Sequence, residues 1–538
     1  MYDVLIKGGR VVDGSGSPWF QADVAISGGK VVKIGRGLSG AAVTIDAAGK
    51  VVSPGFIDSH THSDVALLTG PRAESKVYQG VTTEVIGNCG SSPAPMVGEA
   101  RERVQKQLNG TGVGLDWVGM DWVGMDEYLE RLDRKGVAVN VVPLVGFGTV
   151  RQAVMGKDTD RPATLEERGK MRALVEESVA EGAFGMSTMV DFTSKPQGIA
   201  PTDEVIDAAK GLKPKEALYV THIRDEFDLK IGYAASLEEA VQIGTAAGVP
   251  THISHLHALG VPKRAPQYVA LIDKFRDSGT DVTADCYPYA VSAAGIRGHR
   301  PFLPIVIPAW ALEGGRAKTL ERLADKVTRD KIVGEIRVNF IQRGAERHIV
   351  RLCPANPELE GLDMAEVAQR LGERPEQAAL HMYEQGEVAW VFMNVDEEDM
   401  MTFMKPAWVM GGSDGTALPM VVRPGEEKPH PRCYGTFPRW IGTYARDKGL
   451  LPLHEVIRKV TSLPAQRFGL SGRGLLREGF WADVTVFDAG TIRDTATFHN
   501  PNQIPVGIDC VLVNGQVVVQ YGRHTGKLAG KALRHRQD

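Results

Sequence analysis

Eight short apolar runs alternate with helix-like segments through the middle of the chain, and this alternation limits the possible folds most strongly. The candidate strands cover residues 56–58, 82–86, 137–142, 183–187, 218–221, 251–254, 281–285 and 408–411. Helix-like runs cover, among others, residues 164–181, 236–247 and 268–277. Strands that alternate with helices predict a parallel sheet, and eight of them match a barrel better than an open sheet. The sequence therefore predicts an α/β fold built on a (β/α)8, TIM-like barrel.

The two ends of the chain carry a different pattern. From residue 2 to about 53, and again over 482–488 and 510–519, apolar and polar residues alternate between glycine-rich turns. Alternation with period two predicts short antiparallel strands, and the Asn514-Gly515 pair predicts a hairpin turn. Since chain ends often lie close together, we predict one small β-sandwich domain made from residues 1–54 and 466–538.

The predicted barrel domain then covers residues 55–465. Residues 291 to about 395 are too long for one connection between barrel strands. We expect them to form an inserted lid or subdomain. A length of 538 residues suits one large catalytic domain with a smaller one beside it.

Composition narrows the class of protein. A net charge of -4 does not favour binding to nucleic acid, which is itself negatively charged. No apolar run reaches the roughly 18 residues that a membrane span needs, and no secretory signal is visible at the N-terminus. The five cysteines are scattered and odd in number, which argues against disulfides and for a reducing cytoplasm. We expect a cytoplasmic protein with neither nucleic acid nor membrane as partner; the sequence leaves its oligomeric state open.

Two histidines follow the first candidate strand, in the stretch Pro54-Gly-Phe-Ile-Asp-Ser-His60-Thr-His62. Residues two apart on an extended strand point to the same side, so both imidazoles can converge just beyond the strand end. Imidazole is the commonest protein ligand for zinc-like ions. The pair indicates half of a metal site, although two ordinary polar histidines in a loop remain the alternative.

Further candidate ligands recur where other strands end. Cys89 follows the second strand, His222 the fifth, His255 the sixth and Asp414 the eighth. Active sites of such barrels lie at the carboxyl ends of the strands, and thiolate with imidazole favours zinc. Each residue alone is more commonly structural, but their conjunction at strand ends favours a site. His252 falls on the opposite face of its strand and is assigned a structural role.

Taken together, the motifs resemble the N-acyl-D-amino-acid deacylase (D-aminoacylase) family of the amidohydrolase superfamily, over nearly the whole chain. The Gly-Asn-Cys-Gly motif is particularly specific, because many amidohydrolases use a carboxylated lysine where this family has a cysteine. The motifs are Pro54-Gly-Phe-Ile-Asp-Ser-His-Thr-His-Ser-Asp64, Gly87-Asn-Cys-Gly-Ser91, His222-Ile-Arg-Asp-Glu226, Ile253-Ser-His255, Ala284-Asp-Cys-Tyr-Pro-Tyr289, Gly412-Ser-Asp-Gly415 and His430-Pro-Arg-Cys-Tyr-Gly-Thr-Phe-Pro-Arg439.

The resemblance implies a ligand set. It implies one tight zinc held by Cys89, His222 and His255. His60 and His62 match the second, weakly occupied metal site of the family. Whether one metal or two are bound stays open in the sequence.

The resemblance also implies hydrolysis of a linear amide in a small molecule. Asp414 matches the catalytic aspartate of the family. A zinc-activated water would attack the amide carbonyl while Asp414 takes its proton and returns it to the departing amine. Zinc, with help from His60 or His62, would polarise the carbonyl and hold the developing oxyanion.

Several positions depart from the family pattern. A lysine two residues after the sixth-strand ligand is His257 here, a tyrosine is Phe192, and Gly-His-Gly after the third strand reads Gly-Phe147-Gly. Tyr289 is kept. The family uses the lysine and tyrosine positions around the substrate carboxylate and acyl group, so the resemblance implies substrate contacts for Tyr289, His257 and Phe192. We expect an altered and more apolar substrate pocket.

Other interpretations stay open. Arg297, Arg300 or the inserted segment could supply the missing cation. The reaction could be another of the amidohydrolase type, such as opening a cyclic amide or deaminating a heterocycle. A non-catalytic scaffold is less consistent with the sequence, because every expected ligand is present.

Overall fold

The structure is a computed structural model. It describes residues 1–102, 105, 121–191, 197–226, 228, 230–258, 262–291, 306–386, 388–392, 395–421 and 428–535. Phe192, Arg297 and Arg300 lie outside the described residues.

The described strands, in chain order, are β1 Tyr2–Val11, β2 Phe20–Ser27, β3 Lys30–Gly35, β4 Ala41–Asp46, β5 Val51–Pro54, β6 Phe56–Asp58, β7 Val81–Ile86, β8 Asn140–Pro143, β9 Val145–Gly146, β10 Gly185–Met189, β11 Leu218–His222, β12 Thr251–Ile253, β13 Val282–Cys286, β14 His348–Leu352, β15 Ala389–Phe392, β16 Val409–Gly411, β17 Val484–Phe487, β18 Ile508–Val513, β19 Gln516–Gln520 and β20 Arg523–His524.

The described α-helices are α1 Ala66–Thr69, α2 Glu74–Val77, α3 Met125–Lys135, α4 Phe147–Met155, α5 Leu165–Ala180, α6 Thr202–Ala209, α7 Tyr233–Ala247, α8 Ala265–Asp277, α9 Ala309–Leu312, α10 Gly315–Ala324, α11 Lys326–Arg343, α12 Met364–Leu371, α13 Pro375–Gln385, α14 Glu397–Met404, α15 Arg432–Arg439, α16 Leu453–Lys459 and α17 Ser462–Arg467. Short 3-10 turns at Lys210–Lys215, Ala345–Arg347 and Pro357–Leu359 and a π-helical segment at Trp440–Asp447 complete the set.

Eight parallel strands form the barrel, in the order β6, β7, β8–β9, β10, β11, β12, β13 and β16. The third strand is interrupted at Leu144, so β8 pairs with β7 while β9 pairs with β10. The first and last strands meet beyond their ends, where Thr61 bridges Gly415 and the His62 N–H donates to the Gly415 carbonyl at 2.8 Å. The predicted (β/α)8 barrel is confirmed.

The barrel interior below the strand ends is apolar. One cluster of buried side chains there draws alternate residues from several strands, including Ile57, Val85, Val220 and Met410. Phe468, just after α17, belongs to the same cluster. Because this layer fills the lower barrel, polar groups that point inward higher up lie together at the carboxyl ends of the strands.

The two chain ends build a second sheet. Its strand order is β20-β19-β18-β17-β5-β1-β2-β3, with β4 paired to β1. The N-terminal and C-terminal parts meet where β5 runs antiparallel to β17, from Pro54 opposite Val484 to Val51 opposite Phe487. The hairpin predicted at Asn514-Gly515 joins β18 and β19.

This sheet differs from the predicted pattern in one respect. Alternation alone predicts antiparallel strands, yet β1 pairs in parallel with both β4 and β5. A parallel pair needs a crossover connection, and the β2–β3 hairpin supplies it. Periodicity reports which face of a strand is buried but not the direction of its neighbour.

Residues between β13 and β16 form a unit with its own hydrophobic centre. Helices α9 to α13 and the antiparallel pair β14–β15 surround a cluster that includes Ile336, Phe340, Val367 and Trp390. The unit stands where the inserted segment was expected, and its role as a lid stays a proposal.

Among the described helices, none combines the length and the apolar character needed to cross a membrane.

Candidate metal centre and active site

The barrel strands deliver the candidate ligands to one place. His60 and His62 follow β6, Cys89 follows β7, His222 ends β11 and His255 lies just after β12. All five side chains reach the carboxyl ends of the strands, because the strands run parallel around a closed barrel.

Cys89, His222 and His255 form one compact group of potential ligand atoms, all within 4.8 Å of one another. The Nδ1 of His222 lies 3.0 Å from the Nε2 of His255. That same Nε2 lies 3.7 Å from the Cys89 Sγ. The side chains of both histidines are buried.

His60, His62 and Cys89 form a second group under the same 4.8 Å limit. The His60 Nε2 lies 3.4 Å from the Cys89 Sγ. The ring centroids of His60 and His62 are 5.4 Å apart. Cys89 belongs to both groups, so its sulfur stands between two adjoining positions that could each hold a metal.

The donor geometry fits zinc. Two ligands about 2.0–2.3 Å from one ion in a tetrahedral arrangement lie roughly 3.3–3.7 Å apart. The 3.0 and 3.7 Å separations around His255 fall at or near that range. A set of one thiol and two imidazoles also matches the chemical preference of zinc, while magnesium or calcium would require oxygen ligands.

Charge in the site favours the thiolate. Burial by itself would raise the pKa of the Cys89 thiol. The neighbouring imidazoles, His60 above all and then His222 and His255, outweigh burial and hold that pKa well below its usual range. The thiolate is the form that ligates metal.

The Asp414 carboxylate lies against both histidines of the second group. Its Oδ1 is 3.0 Å from the His62 Nε2 and 3.6 Å from the His60 Nε2. Its Oδ2 is 2.8 Å from the Arg432 Nη1. Burial would raise the pKa of Asp414, but Arg432 and then His62 hold it well below its usual range. Asp414 is therefore an ionised acceptor beside the candidate metal ligands.

Two further carboxylates orient the histidine rings. Glu226 lies 3.1 Å from the Nδ1 of His255 and 3.5 Å from the Nε2 of His222. Asp285 accepts the backbone N–H of His255 at 3.0 Å and lies 3.5 Å from the His60 Nδ1. Carboxylates behind ligand histidines fix the ring orientation and raise ligand basicity. His252 joins this layer through its 2.8 Å contact with Asp285.

The backbone of the site is unusual. Cys89, His255 and Asp414 all have positive φ, at 51°, 30° and 47°. Such values are uncommon outside glycine, and they persist only where the surrounding structure fixes them. Gly87 and Gly90 flank the cysteine loop at φ 78° and 70°, and a side chain at either would overlap neighbouring atoms.

The rings of His257 and Tyr287 lie against each other, tilted by 50°, beside the candidate metal ligands. Their ring centroids are 4.0 Å apart, and the Arg432 guanidinium lies 4.8 Å from the Tyr287 centroid on that ring. Among the described residues, neither ring nitrogen of His257 has a hydrogen-bond partner, although the side chain is buried. Burial lowers the pKa of His257 to about 3. A buried imidazole without a partner is a candidate contact for a bound molecule.

The structure treats the two remaining substrate candidates differently. The Tyr289 hydroxyl donates to the Asp494 Oδ2 at 2.7 Å, and the Arg439 guanidinium lies 4.8 Å from its ring centroid. Tyr289 is therefore directed toward the C-terminal segment, and Tyr287 is the tyrosine whose ring lies against His257. Phe192 lies outside the described residues, so its predicted contact stays a prediction.

Sequence reasoning missed Arg432, Glu226 and Asp285 as members of the site. All three stand inside motifs that the resemblance drew on, so a signal for them existed. Arg432 is the third residue of His430-Pro-Arg. Glu226 follows the candidate ligand His222 by four residues, and Asp285 is the middle residue of Ala284-Asp-Cys286 at the end of the seventh barrel strand, β13.

Comparison with known proteins identifies relatives over almost the whole length. The sequence pattern of the amidohydrolase family matches residues 43–412 and 405–519. A D-aminoacylase from Alcaligenes xylosoxydans xylosoxydans is 36% identical over 535 residues, which cover 99% of this chain and 97% of that protein.

Two solved structures are similar to this chain over almost its whole length. A D-aminoacylase with a binuclear metal centre superposes with a TM-score of 0.78 at 34% identity, covering 99% of this chain and 100% of the other. The N-acyl-D-glutamate deacylase of Bordetella bronchiseptica superposes with a TM-score of 0.77 at 30% identity, covering 99% of each chain. That structure was solved with zinc and a phosphonate inhibitor that mimics the tetrahedral intermediate.

Proposed function

The chain belongs to the amidohydrolase family, and from that premise we propose that it is a zinc-dependent deacylase, which hydrolyses the linear amide of N-acyl-D-amino acids or of closely related acylated amines. Relatives that act as D-aminoacylase and N-acyl-D-aspartate deacylase support this proposal at 36% and 35% identity over 99% of the chain.

One observation carries the proposal. A compact Cys89–His222–His255 group lies next to an ionised carboxylate, that of Asp414, at the carboxyl ends of the barrel strands. Amide hydrolysis needs an activated water and a group that moves a proton from that water to the leaving amine. The geometry provides one candidate for each task.

Zinc would be held by Cys89, His222 and His255, and the relative solved with zinc supports that choice of metal. When bound, a zinc with three protein ligands lowers the pKa of a water toward about 7 and polarises a carbonyl. We propose His60 and His62 as a second, weaker site. In the similar D-aminoacylase, one metal activates the enzyme and a second metal attenuates it. That relative is a precedent for two unequal metal sites.

Asp414 is proposed as general base and then general acid. Its Oδ1 faces His60 and His62, while Arg432 holds its Oδ2 at 2.8 Å. Arg432 thus fixes the Oδ2, and the Oδ1 is directed toward the candidate metal ligands His60 and His62. The carboxylate takes a proton from the attacking water. As the C–N bond breaks, it delivers that proton to the amine nitrogen.

The pocket for the amine portion is proposed to involve His257, Tyr287 and Arg432. Among the described residues, the guanidinium that lies against Asp414 and Tyr287 is that of Arg432, which the sequence did not suggest. His257 stands where the family carries a lysine, so this position itself carries no permanent charge. We infer a pocket that depends less on a substrate carboxylate than the pockets of its relatives.

A substrate panel tests the reaction. We expect the zinc-loaded protein to release amine from at least one linear amide among N-acyl-D-amino acids and acylated amines without a carboxylate. Hydantoins and N-acyl-L-amino acids serve as comparisons. Amine release measured with a ninhydrin-type assay, with the chelator-treated protein as control, gives the result. Turnover of hydantoins without turnover of any linear amide would contradict the proposal.

A second prediction concerns the pocket. Replacing His257 with lysine is expected to raise kcat/KM for N-acyl-D-amino acids about 10-fold relative to acylated amines of the same size. The reason is that a charge-assisted hydrogen bond contributes roughly 1.5–3 kcal/mol, part of which repulsion from Arg432 offsets. Steady-state kinetics on a matched pair of substrates measures the ratio.

His257→Gln is the matched control, because it keeps a buried hydrogen-bonding group without charge. An equal change of the ratio in both variants would show that size, rather than charge, matters at this position. No change in either would remove His257 from the substrate pocket.

We also propose a reducing compartment such as the cytoplasm, because all five cysteines are free thiols. The proposed partner is the small-molecule substrate, and nothing in the charge of the chain favours nucleic acid.

A further inference from the structure

The residues on either side of Asp414 are fixed by one hydroxyl group. The Ser413 Oγ donates to the Asp58 Oδ2 at 2.6 Å and accepts the Gly415 N–H at 3.0 Å. The Ser413 N–H itself donates to the Asp58 Oδ1 at 2.8 Å. The peptide group that precedes Ser413 and the peptide group that follows Asp414 are therefore both held by Ser413 and its partner Asp58.

A buried lysine fixes that hydroxyl group in turn. The Lys76 Nζ donates to the Ser413 Oγ and to the Asp58 Oδ2, both at 2.8 Å. Lys76 lies on α2 and is fully buried, as are Asp58 and Ser413. Among the described residues, Lys76 is the only lysine whose ammonium contacts both Asp58 and Ser413.

A second arm from Lys76 reaches the chain beyond Asp414. The Lys76 Nζ lies 4.0 Å from the Glu84 Oε2, which accepts the Ser63 hydroxyl. The Ser63 Oγ accepts the Ala417 N–H at 2.8 Å. The ammonium thus contacts two carboxyl groups, of which Asp58 is bonded to Ser413 before Asp414 and Glu84 is linked through Ser63 to Ala417 after it.

We propose that Lys76 is a positioning residue that acts through Ser413 to hold the Asp414 carboxylate in its reactive orientation. The inference rests on the proposed role of Asp414. It adds a group that touches neither substrate nor metal and lies far from Asp414 in sequence.

The backbone of Asp414 has an unusual conformation. At φ 47° the Asp414 backbone adopts a conformation that is rare for residues other than glycine, so contacts with neighbouring residues must hold it there. A buried ion pair is a weak source of stability, since desolvation offsets its attraction, but it can enforce one geometry. Here the enforced geometry is that of the loop that carries the proposed base.

The first test is Ser413→Ala. It leaves the Lys76–Asp58 ion pair and the backbone bond from residue 413 to Asp58 in place, and removes only the hydroxyl that contacts Lys76, Asp58 and the Gly415 N–H. We expect kcat to fall at least tenfold, with KM changed by less than about twofold and zinc content unchanged, because a misplacement of about 1 Å can cost 100-fold in rate. We also expect the distance between the Asp414 Oδ1 and the His62 Nε2, 3.0 Å in the wild type, to lengthen in a crystal structure.

Ser53→Ala is the matched control. Ser53 is as deeply buried, and its hydroxyl donates to the Pro54 carbonyl at 2.9 Å in β5, away from the metal groups. Its kcat is expected to equal that of the wild type. If Ser413 merely stabilised the fold, both variants would lose thermal stability and neither would change kcat.

Lys76→Met extends the test, with Arg151→Met as its control. Arg151 is also fully buried and pairs with Glu204 at 2.7 Å between α4 and α6. We expect lower kcat only in the Lys76 variant. If Lys76→Met does not fold, Ser413→Ala still decides the question.

Asp414→Asn, measured in parallel, separates this inference from the function it rests on. An active Asp414→Asn protein would overturn the proposed base. An inactive Asp414→Asn protein together with a Ser413→Ala protein of wild-type kcat and unchanged Asp414 geometry would overturn only the positioning role.

Discussion

Replacing Asp414 with asparagine is expected to lower kcat by about 10³-fold while the protein stays folded and keeps its zinc. General acid–base catalysis contributes roughly 10²–10⁴-fold, and an amide cannot take up the proton. The amide oxygen can occupy the place of the carboxylate oxygen that lies 2.8 Å from the Arg432 Nη1 in the wild type. Steady-state kinetics, metal analysis and thermal unfolding of the same preparation measure the three quantities.

Asp483→Asn is the control for this variant. Asp483 is also a buried aspartate that pairs with an arginine, Arg473, but it lies next to β17 in the sheet of the chain ends. We expect its kcat to stay close to the wild-type value. A modest loss in Asp414→Asn, similar to that of the control, would mean that another group moves the proton.

Replacing Cys89 with alanine is expected to remove zinc and activity together. Loss of partners behind metal ligands already costs roughly 10–100-fold in affinity, so we expect loss of a ligand itself to cost at least about 100-fold. Cys89 contributes its sulfur to both donor groups, so neither site is complete without it. Metal content after dialysis against a weak chelator, with kcat/KM before and after added zinc, gives the result.

Cys510→Ala is the control here. Cys510 is equally a free thiol and is buried within β18, in the sheet of the chain ends. It is expected to keep wild-type zinc and activity. Full zinc retention in Cys89→Ala would assign the metal to the histidines alone.

The fold and the metal groups were largely accessible from the sequence because parallel strands impose order. A barrel brings the carboxyl ends of its strands together, so Cys89, His222 and His255 could be expected to meet although they lie far apart in sequence. Strand bounds were less accurate. The third strand begins at Asn140 rather than at residue 137, because helix α3 ends at Lys135 and the next apolar residues belong to the connection.

Side-chain direction beyond a strand end could not be predicted. Tyr287 and Tyr289 flank a proline just after β13, where the chain is no longer extended in a regular way. The two-residue period no longer assigns a face there, and the structure directs Tyr289 to Asp494 and Tyr287 to His257. Arg432 was missed for a related reason, since it lies at the start of α15, which no strand pattern orients.

Long-range ionic contacts were equally hidden. Lys76 stands in Glu74-Ser-Lys-Val, which has the appearance of an ordinary solvated helix. Only the packing of α2 under the Asp414 loop buries the ammonium and pairs it with Asp58. A lysine is rarely buried in full without a partner, but one sequence does not reveal which lysine has found one.

The pairing of β5 with β17 has a consequence for how the protein is made. Synthesis proceeds from the N-terminus, and domains generally fold as units as they emerge. The edge of β5 that faces β17 has no partner until β17, which follows all the barrel strands in the chain, has left the ribosome. Contacts of such long sequence separation form slowly, because loop closure must precede them. The sheet of the chain ends is therefore completed only after the barrel strands have been made, and until then β5 carries an open strand edge of the kind that chaperones protect.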